Sequence, residues 1–72
     1  MKPTLVTGAA GFVGWHVARH LVEAGRRVRV LVRDPARVRE LEEVEVVQAD
    51  LRDPAAVGRA VEGCEALCHV AA

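Results

Sequence analysis

Short apolar runs alternate along the chain with segments whose apolar residues recur every three or four positions. The runs are rich in valine and leucine and predict strands, whereas the wider spacing predicts amphipathic helices. The predicted strands are residues 4–7, 28–32, 44–48 and 66–70, and the predicted helices are residues 12–24, 35–41 and 54–61. A helix separates each pair of consecutive strands. We therefore expect right-handed crossovers and a parallel α/β sheet with strand order 3-2-1-4, flanked by helices.

The first predicted helix has one apolar and one polar face. The face expected against the sheet carries Val13, Val17, Ala18 and Leu21. The face expected in water carries His16, Arg19, His20 and Glu23. His16 and His20 are four residues apart, as in some metal pairs, but the sequence offers no evident third ligand, so a solvated face is the favoured interpretation.

Two strand-to-helix joints repeat one capping pattern. Asp34-Pro35 and Asp53-Pro54 each place an N-cap acceptor before a proline suited to the first helical position. A duplication would explain the similar segments around them, but repeated use of one capping chemistry is the simpler explanation. Glu45, inside the third strand, indicates an edge strand with one solvated side.

Three glycines spaced three residues apart join the first strand to the first helix, in Thr7-Gly8-Ala9-Ala10-Gly11-Phe12-Val13-Gly14. A strand, a tight turn and a helix start form a geometry that holds phosphate on backbone N–H groups. Gly8 permits the sharp turn, Gly11 leaves room for a pyrophosphate, and Gly14 permits close packing of the helix. Ordinary turns would also use glycines, but the flanking strand and helix favour a phosphate-binding loop.

Composition narrows the class of protein. The 72 residues suffice for one small domain, and 51% hydrophobic with 28% charged residues indicates a folded chain. Ten basic and ten acidic residues give zero net charge, which argues against nucleic acid as a partner. No apolar run reaches about 20 residues and no signal peptide is apparent, so we expect no membrane partner. Cys64 and Cys68 fit neither a metal knuckle nor a disulfide framework, which predicts reduced cysteines in a cytoplasmic protein. Cys68 lies in an apolar run, so we expect it to be buried.

The segment TGAAGFVG resembles the TGxxGxxG fingerprint of the extended short-chain dehydrogenase/reductase family, which contains nucleotide-sugar epimerases, dehydratases and dihydroflavonol-type reductases. The resemblance implies a Rossmann-type sheet that binds NAD or NADP between strands one and four, where the strand order reverses. It also implies that residues 1–72 are the amino-terminal part of a longer dinucleotide-binding domain. The implied pyrophosphate contacts are Gly8, Gly11, Phe12, Val13 and Gly14.

The end of the second strand is expected to select the cofactor. NAD-binding members of such folds carry an acidic residue there, which holds the ribose 2′-hydroxyl. Here Val32 takes that position and Arg33 follows it, so a guanidinium is available to a 2′-phosphate. This pattern resembles NADP-preferring reductases of the family, with Arg37 as a weaker second candidate. NADP is the expected cofactor, NAD is the alternative, and a merely solvated Arg33 is the competing interpretation.

Two further segments resemble cofactor contacts of the family. Asp50 and Leu51 resemble the pair that touches the adenine, although Asp50 is equally suited to cap the turn. The closing segment HVAA resembles the family's strand-four ending, in which small residues, here Ala71 and Ala72, let the cofactor pass. His69 lies within the strand without a visible partner and is not interpreted as a general base.

The family's catalytic Tyr-x-x-x-Lys pair is absent, because the chain has no tyrosine and Lys2 is its single lysine. We therefore assign no catalytic residue and expect no turnover from these 72 residues. Three functions stay open: the cofactor-binding portion of an oxidoreductase, epimerase or dehydratase; a dinucleotide-binding sensor without catalysis; and a structural fragment that binds nothing. The fourth strand carries no lysine or proline, so we also expect a homo-oligomer formed through its edge or the open sheet face.

Overall fold

The computed structural model describes residues 2–9 and 11–69 of the chain. Its elements are β1 (Thr4–Thr7), α1 (Phe12–Glu23), β2 (Val28–Val32), a 3₁₀ helix (Pro35–Val38), β3 (Val44–Gln48), α2 (Pro54–Val61) and β4 (Ala66–His69). The first three strands and α2 have the bounds predicted from the sequence. Val70, Ala71 and Ala72 lie outside the described residues. In the described part, neither α-helix has the length and apolarity needed to cross a bilayer.

The four strands form one parallel sheet in the order β3-β2-β1-β4. β1 is central, because Thr4 pairs with Val28 of β2 on one side and with Ala66 of β4 on the other. The predicted α/β class and strand order are confirmed, and β3, with Glu45, is an edge strand as expected. The chain moves outward from β1 through β2 to β3 and then returns to the other side of β1. The strand order therefore reverses between β1 and β4.

Each sheet face has its own small core, because side chains alternate between the two faces along a strand. One core contains Val6, Val28, Val30 and Val32 of the strands, Ala9, Ala18 of α1, and Val38 and Leu41 of the second connection. The other is smaller and consists of Leu5, Leu31 and Ala60 of α2. Cys68, which was expected to be buried, is half-buried against the first core.

The helix α1 packs on the sheet with only part of the predicted face: Ala18 is buried and Leu21 packs against the first core as predicted, but Val13 does not. Val13 is 59% exposed, whereas Gly14 and Ala18 are the buried residues of this helix. The prediction for Val13 was wrong because the contact between Gly14 and the preceding loop sets the rotation of the helix. Val13, one residue earlier, is then turned about 100° away from that contact. The helix ends at Glu23, one residue before the predicted end.

The second connection is a 3₁₀ helix instead of the predicted helix 35–41. Asp34 does cap it, since its Oδ1 accepts a hydrogen bond from the Ala36 N–H at 3.1 Å. Val38 and Leu41 are both buried, and a period of three residues places positions three apart on the same face. The Val38 carbonyl accepts a hydrogen bond from the Leu41 N–H at 2.9 Å, so the segment closes in a turn with i+3 bonding and does not continue as an α-helix. Asp53 caps α2 as expected, because its side chain accepts hydrogen bonds from the backbone N–H groups of Ala55 and Ala56.

Arg29 connects β2 to the end of α2 and to β3. Its Nη1 donates to the carbonyl oxygens of Ala60 and Glu62 at 2.8 and 2.7 Å, and its Nε donates to Glu45 Oε2 at 2.9 Å. The last carbonyls of a helix have no partner within the helix. A half-buried arginine in the sheet supplies that partner, so the position of α2 follows from a residue of β2.

Candidate functional site

The glycine loop turns directly from β1 into α1. Gly8 has φ +75°, a conformation that favours glycine, and its carbonyl accepts a hydrogen bond from the Gly11 N–H at 3.0 Å. Gly11 is the N-cap of α1 and has no side chain with which to cap it. The first N–H groups of α1 are therefore left for an external acceptor, at the positive end of the helix dipole.

The glycines of the loop differ in what the fold demands of them. A Cβ built on Gly14 would lie 2.1 Å from the carbonyl oxygen of Gly8 and 2.6 Å from its carbonyl carbon. A Cβ on Gly11 would lie 3.4 Å from the same oxygen, an ordinary contact. Packing therefore requires glycine at position 14 but not at position 11. The missing side chain of Gly11 leaves open the surface in front of the helix.

A cavity adjoins this loop at the carboxyl ends of β1, β2 and β3. Its lining consists of Gly8, Leu31, Val32, Arg33, Asp34, Arg37, Ala49, Asp50 and Leu51. Four predicted site residues, Gly8, Arg33, Asp50 and Leu51, are thus brought together from segments far apart in sequence. The weaker candidate Arg37 joins them. Crevices beyond the carboxyl ends of strands are the usual ligand sites of open parallel sheets.

Asp50 is the acidic residue of this cavity that two arginines approach. Its Oδ1 accepts from the Arg52 backbone N–H at 2.9 Å, and its Oδ2 accepts from Arg52 Nη2 at 2.8 Å. Arg33 Nη1 lies 3.9 Å from the same Oδ2. Hydrogen bonds from the side chain and backbone of Arg52, with a smaller contribution from the charge of Arg33, lower the Asp50 pKa from 3.8 to about 2. Asp50 therefore makes the turn-capping contact, and a role toward adenine stays a prediction.

The remaining predicted site residues do not line this cavity or lie outside the described part of the chain. Phe12 and Val13 are the first two residues of α1 and are 80% and 59% exposed. Their contribution to the site is therefore the backbone N–H groups of the first helical turn. Ala71 and Ala72 lie outside the described residues. His16 packs edge-on against Phe12 and Trp15, with ring centroids 4.6 and 5.0 Å away. Among residues 2–9 and 11–69, no cluster of three metal-ligating side chains occurs.

Sequence reasoning missed three contributions to the site. Asp34 was interpreted only as a cap but also lines the cavity, and Arg52 was not considered although it follows Asp50 by two residues, as an Asx turn requires. His69 was expected to have no partner. It hydrogen-bonds through Nδ1 with the hydroxyl of Thr7, its register neighbour on β1. Aligning the ends of β1 and β4 would have found this pair.

Comparisons with known proteins agree with this geometry. A family model described as NAD(P)H-binding matches residues 8–72. The chain is 51% identical over 69 residues to a ceramide reductase of Caulobacter vibrioides, covering 92% of this chain and 22% of that one. It is 38% identical over 79 residues to the dihydroflavonol 4-reductase of Hordeum vulgare, covering 96% and 22%. The chain thus spans about a fifth of the length of these curated relatives.

A solved structure shares the fold. It is the crystal structure of a short-chain dehydrogenase/reductase superfamily protein from Agrobacterium tumefaciens with bound NAD. The TM-score is 0.81 at 36% identity, and the match covers 96% of this chain and 20% of that one.

Replacing Gly14 with alanine should lower the free energy of unfolding by about 1–3 kcal/mol, because the methyl group would overlap the Gly8 carbonyl. Gly58→Ala is the matched control. A Cβ at position 58, inside α2, meets nothing within 4 Å, so this change should stabilise the chain by about 0.5–1 kcal/mol. Urea unfolding of both variants measures the difference. A Gly14→Ala variant as stable as the original chain would contradict the packing argument.

The Asp50 carboxyl should titrate at about pH 2 when followed by its side-chain ¹³C shift. Arg52→Met should raise this pKa toward 3.8, and Arg33→Met should raise it less, because Arg33 is more distant. Because the Asp50 pKa is lower in the folded state than in the unfolded state, the Asp50–Arg52 pair contributes its full stabilisation above about pH 4. This contribution is lost as the pH falls toward 2. An unchanged Asp50 pKa in Arg52→Met would refute the pairing.

Proposed function

Because this chain belongs to the NAD(P)H-binding family, whose model it matches over residues 8–72, we propose that residues 1–72 form the amino-terminal part of the dinucleotide-binding domain of a cytoplasmic extended short-chain dehydrogenase/reductase. The whole protein would act as an oxidoreductase, epimerase or dehydratase on a carbonyl or sugar-nucleotide substrate. Two reductases among its relatives favour a carbonyl substrate. The observation that carries the proposal is the cavity that joins the glycine loop to Arg33 and Asp50.

In this proposal the pyrophosphate binds at the start of α1. The backbone N–H groups of Phe12, Val13 and Gly14 belong to the first turn, which an uncapped helix leaves without internal partners. Gly8 and Gly11 keep side chains away from the approaching phosphates. The close packing of Gly14 on the Gly8 carbonyl supports this placement of the pyrophosphate, because it holds the start of the helix directly against the glycine loop.

The 2′-phosphate of NADP would bind Arg33. Val32 is buried and cannot hold a ribose hydroxyl, whereas the Arg33 side chain is 72% exposed at the cavity and free to turn from Asp50 toward a phosphate. Arg37 supplies a second guanidinium in the same lining. The Asp34 carboxylate is engaged by the Ala36 N–H, which lessens its competition for the ribose. These arrangements support NADP over the alternative, NAD.

The adenine would lie near Leu51, which is 47% exposed at the cavity edge. Asp50, beside it, would accept a hydrogen bond from the exocyclic amine through whichever lone pair Arg52 leaves. Ala71 and Ala72 are proposed to pass beneath the other half of the cofactor. The bound cofactor would supply a hydride. These 72 residues contain no tyrosine, so they contribute binding and orientation and no proton donor of the family's kind.

A non-catalytic dinucleotide sensor is the second candidate function, and residues 1–72 do not distinguish it from the enzyme, because the family's tyrosine belongs to a segment after strand four. Both candidates require cofactor binding. Titration with NADPH would therefore distinguish them from the third possibility, a structural fragment that binds nothing. Assays for NADPH oxidation with ketones and nucleotide sugars address catalysis: turnover by the 72-residue chain above a heat-killed control would contradict its assignment as a binding portion.

The chain should bind NADP(H) more tightly than NAD(H), by about ten- to hundredfold if Arg33 makes a charged hydrogen bond to the 2′-phosphate. Replacing Val32 with Asp and Arg33 with Asn should reverse the preference, because a carboxylate accepts from the 2′-hydroxyl and repels the phosphate. Added salt should shrink the original preference. Paired titrations with millimolar cofactor measure both affinities.

Arg19→Asn is the matched control for this experiment. Arg19 is an exposed arginine of α1 that pairs with Glu23 outside the cavity, so its loss should leave the preference unchanged. Equal affinities of the original chain for the two cofactors, unaltered by the double substitution, would show that Arg33 is a surface arginine only.

We also propose that the 72-residue chain self-associates through β4. This strand is at the sheet edge and Leu67 is 54% exposed, without the lysine or proline that blunts many edges. Leu67→Lys should shift sedimentation equilibrium toward monomer. Val46→Lys, on the opposite edge strand where the side chain is 42% exposed, should not. A clean monomer of the original chain at high concentration would refute this proposal.

A further inference from the structure

Thr7 and His69 face each other at the carboxyl ends of β1 and β4. They are register partners, and the Thr7 hydroxyl is within hydrogen-bonding distance of His69 Nδ1. A threonine hydroxyl both donates and accepts, so either imidazole tautomer can make this bond. Thr7 is 3% exposed, whereas His69 is exposed. The bond therefore anchors a surface imidazole to a buried side chain at the reversal point of the sheet.

This hydrogen bond lies where β4 has little other support. Thr7 and His69 share a sheet face with Leu5 and Leu67, because side chains two apart lie on the same face. On that face α2 covers Leu5, which is fully buried, but leaves Leu67 54% exposed. On this face, within the described residues, the end of β4 is thus held by the main-chain ladder and by this one side-chain bond, whereas Cys68 packs against the core of the opposite face.

The same bond acts on the glycine loop from the other side. Thr7 is the last residue of β1, and Gly8 follows it at φ +75° with its carbonyl bound to the Gly11 N–H. A shift of the Thr7 side chain would move the first peptide of the loop. Beyond His69 the chain continues into the two alanines proposed to lie beneath the cofactor.

We propose that the Thr7–His69 hydrogen bond is a positioning contact for the dinucleotide, which holds the loop that receives the pyrophosphate at a fixed distance from the end of β4. This inference rests on the proposed function. His69 acts through Thr7, so it is a positioning residue and not a catalytic one. The role needs the ring nitrogen Nδ1 and the threonine hydroxyl and does not depend on the charge of the imidazole.

Two pairs of substitutions separate the bond from the bulk of the side chains. Thr7→Ser keeps the hydroxyl and Thr7→Val removes it with little change in shape. His69→Asn keeps a polar atom near the place of Nδ1, and His69→Gln moves it toward that of Nε2. Thr4→Val is the matched control, because Thr4 is also buried, at 5% exposure, at the opposite end of the same strand.

Titrations of the 72-residue chain with NADPH and NADH provide the main measurement. Thr7→Val and His69→Gln should each raise Kd about five- to tenfold, the cost of one hydrogen bond. Thr7→Ser, His69→Asn and Thr4→Val should stay within about twofold, and the double variant Thr7→Val/His69→Gln should bind no more weakly than either single one. The ¹⁵N shift of His69 Nδ1 should move in Thr7→Val but not in Thr4→Val.

The outcomes distinguish this inference from the proposed function. If the original chain binds and Thr7→Val binds equally well, the positioning role is overturned and the cofactor site stands. An equal weakening in Thr4→Val would also overturn it, since general strand stability would then explain the loss. If the original chain binds neither cofactor, the proposed function fails and this inference fails with it.

Discussion

The close approach of Gly14 to the Gly8 carbonyl governs both the fold and the candidate site. The absent side chain lets α1 start directly against the loop, and this contact sets the rotation of the helix about its axis. Ala18, one turn further along, is therefore buried on the sheet while Val13 points to solvent. The same approach brings the uncapped helix end to the reversal point of the sheet. Packing and anion recognition thus depend on one missing Cβ.

Electrostatic balance is the second organising feature of the cavity. Arg33, in the lining, and Arg52, beside it, both carry positive charge, and Asp50 Oδ2 lies close to both, at 3.9 and 2.8 Å. Hydrogen bonds from Arg52 and the charge of Arg33 lower the Asp50 pKa, which favours the charged carboxylate. The lining itself sets the guanidinium groups of Arg33 and Arg37 against the carboxylates of Asp34 and Asp50, so it offers cations to an anion without net positive charge.

Much of the architecture could be predicted because its causes are local. Proline and aspartate define the start of α2, and β-branched runs define the strands, so those bounds agree with the sequence prediction. Val13 was misplaced because helix rotation depends on a contact with the loop. Residues 35–41 were mispredicted because the segment closes with i+3 hydrogen bonds, such as that from the Leu41 N–H to the Val38 carbonyl, which the apolar spacing does not distinguish from α-helical bonds. His69 and its partner Thr7 are 62 positions apart, beyond the range of any local pattern.

The central position of β1 has a consequence for how the chain reaches its fold. β1 gains one neighbour early, from β2, but its other neighbour is β4, which pairs Thr4 with Ala66 near the opposite end of the chain. Closing so long a loop carries an entropic cost before any contact offsets it, and topologies dominated by such distant pairs fold slowly. During synthesis on a ribosome, the strand that leads into the glycine loop would keep one open edge until residues 66–69 emerge. The Thr7–His69 contact would therefore form only after the residues that line the cavity at the ends of β1, β2 and β3 have emerged.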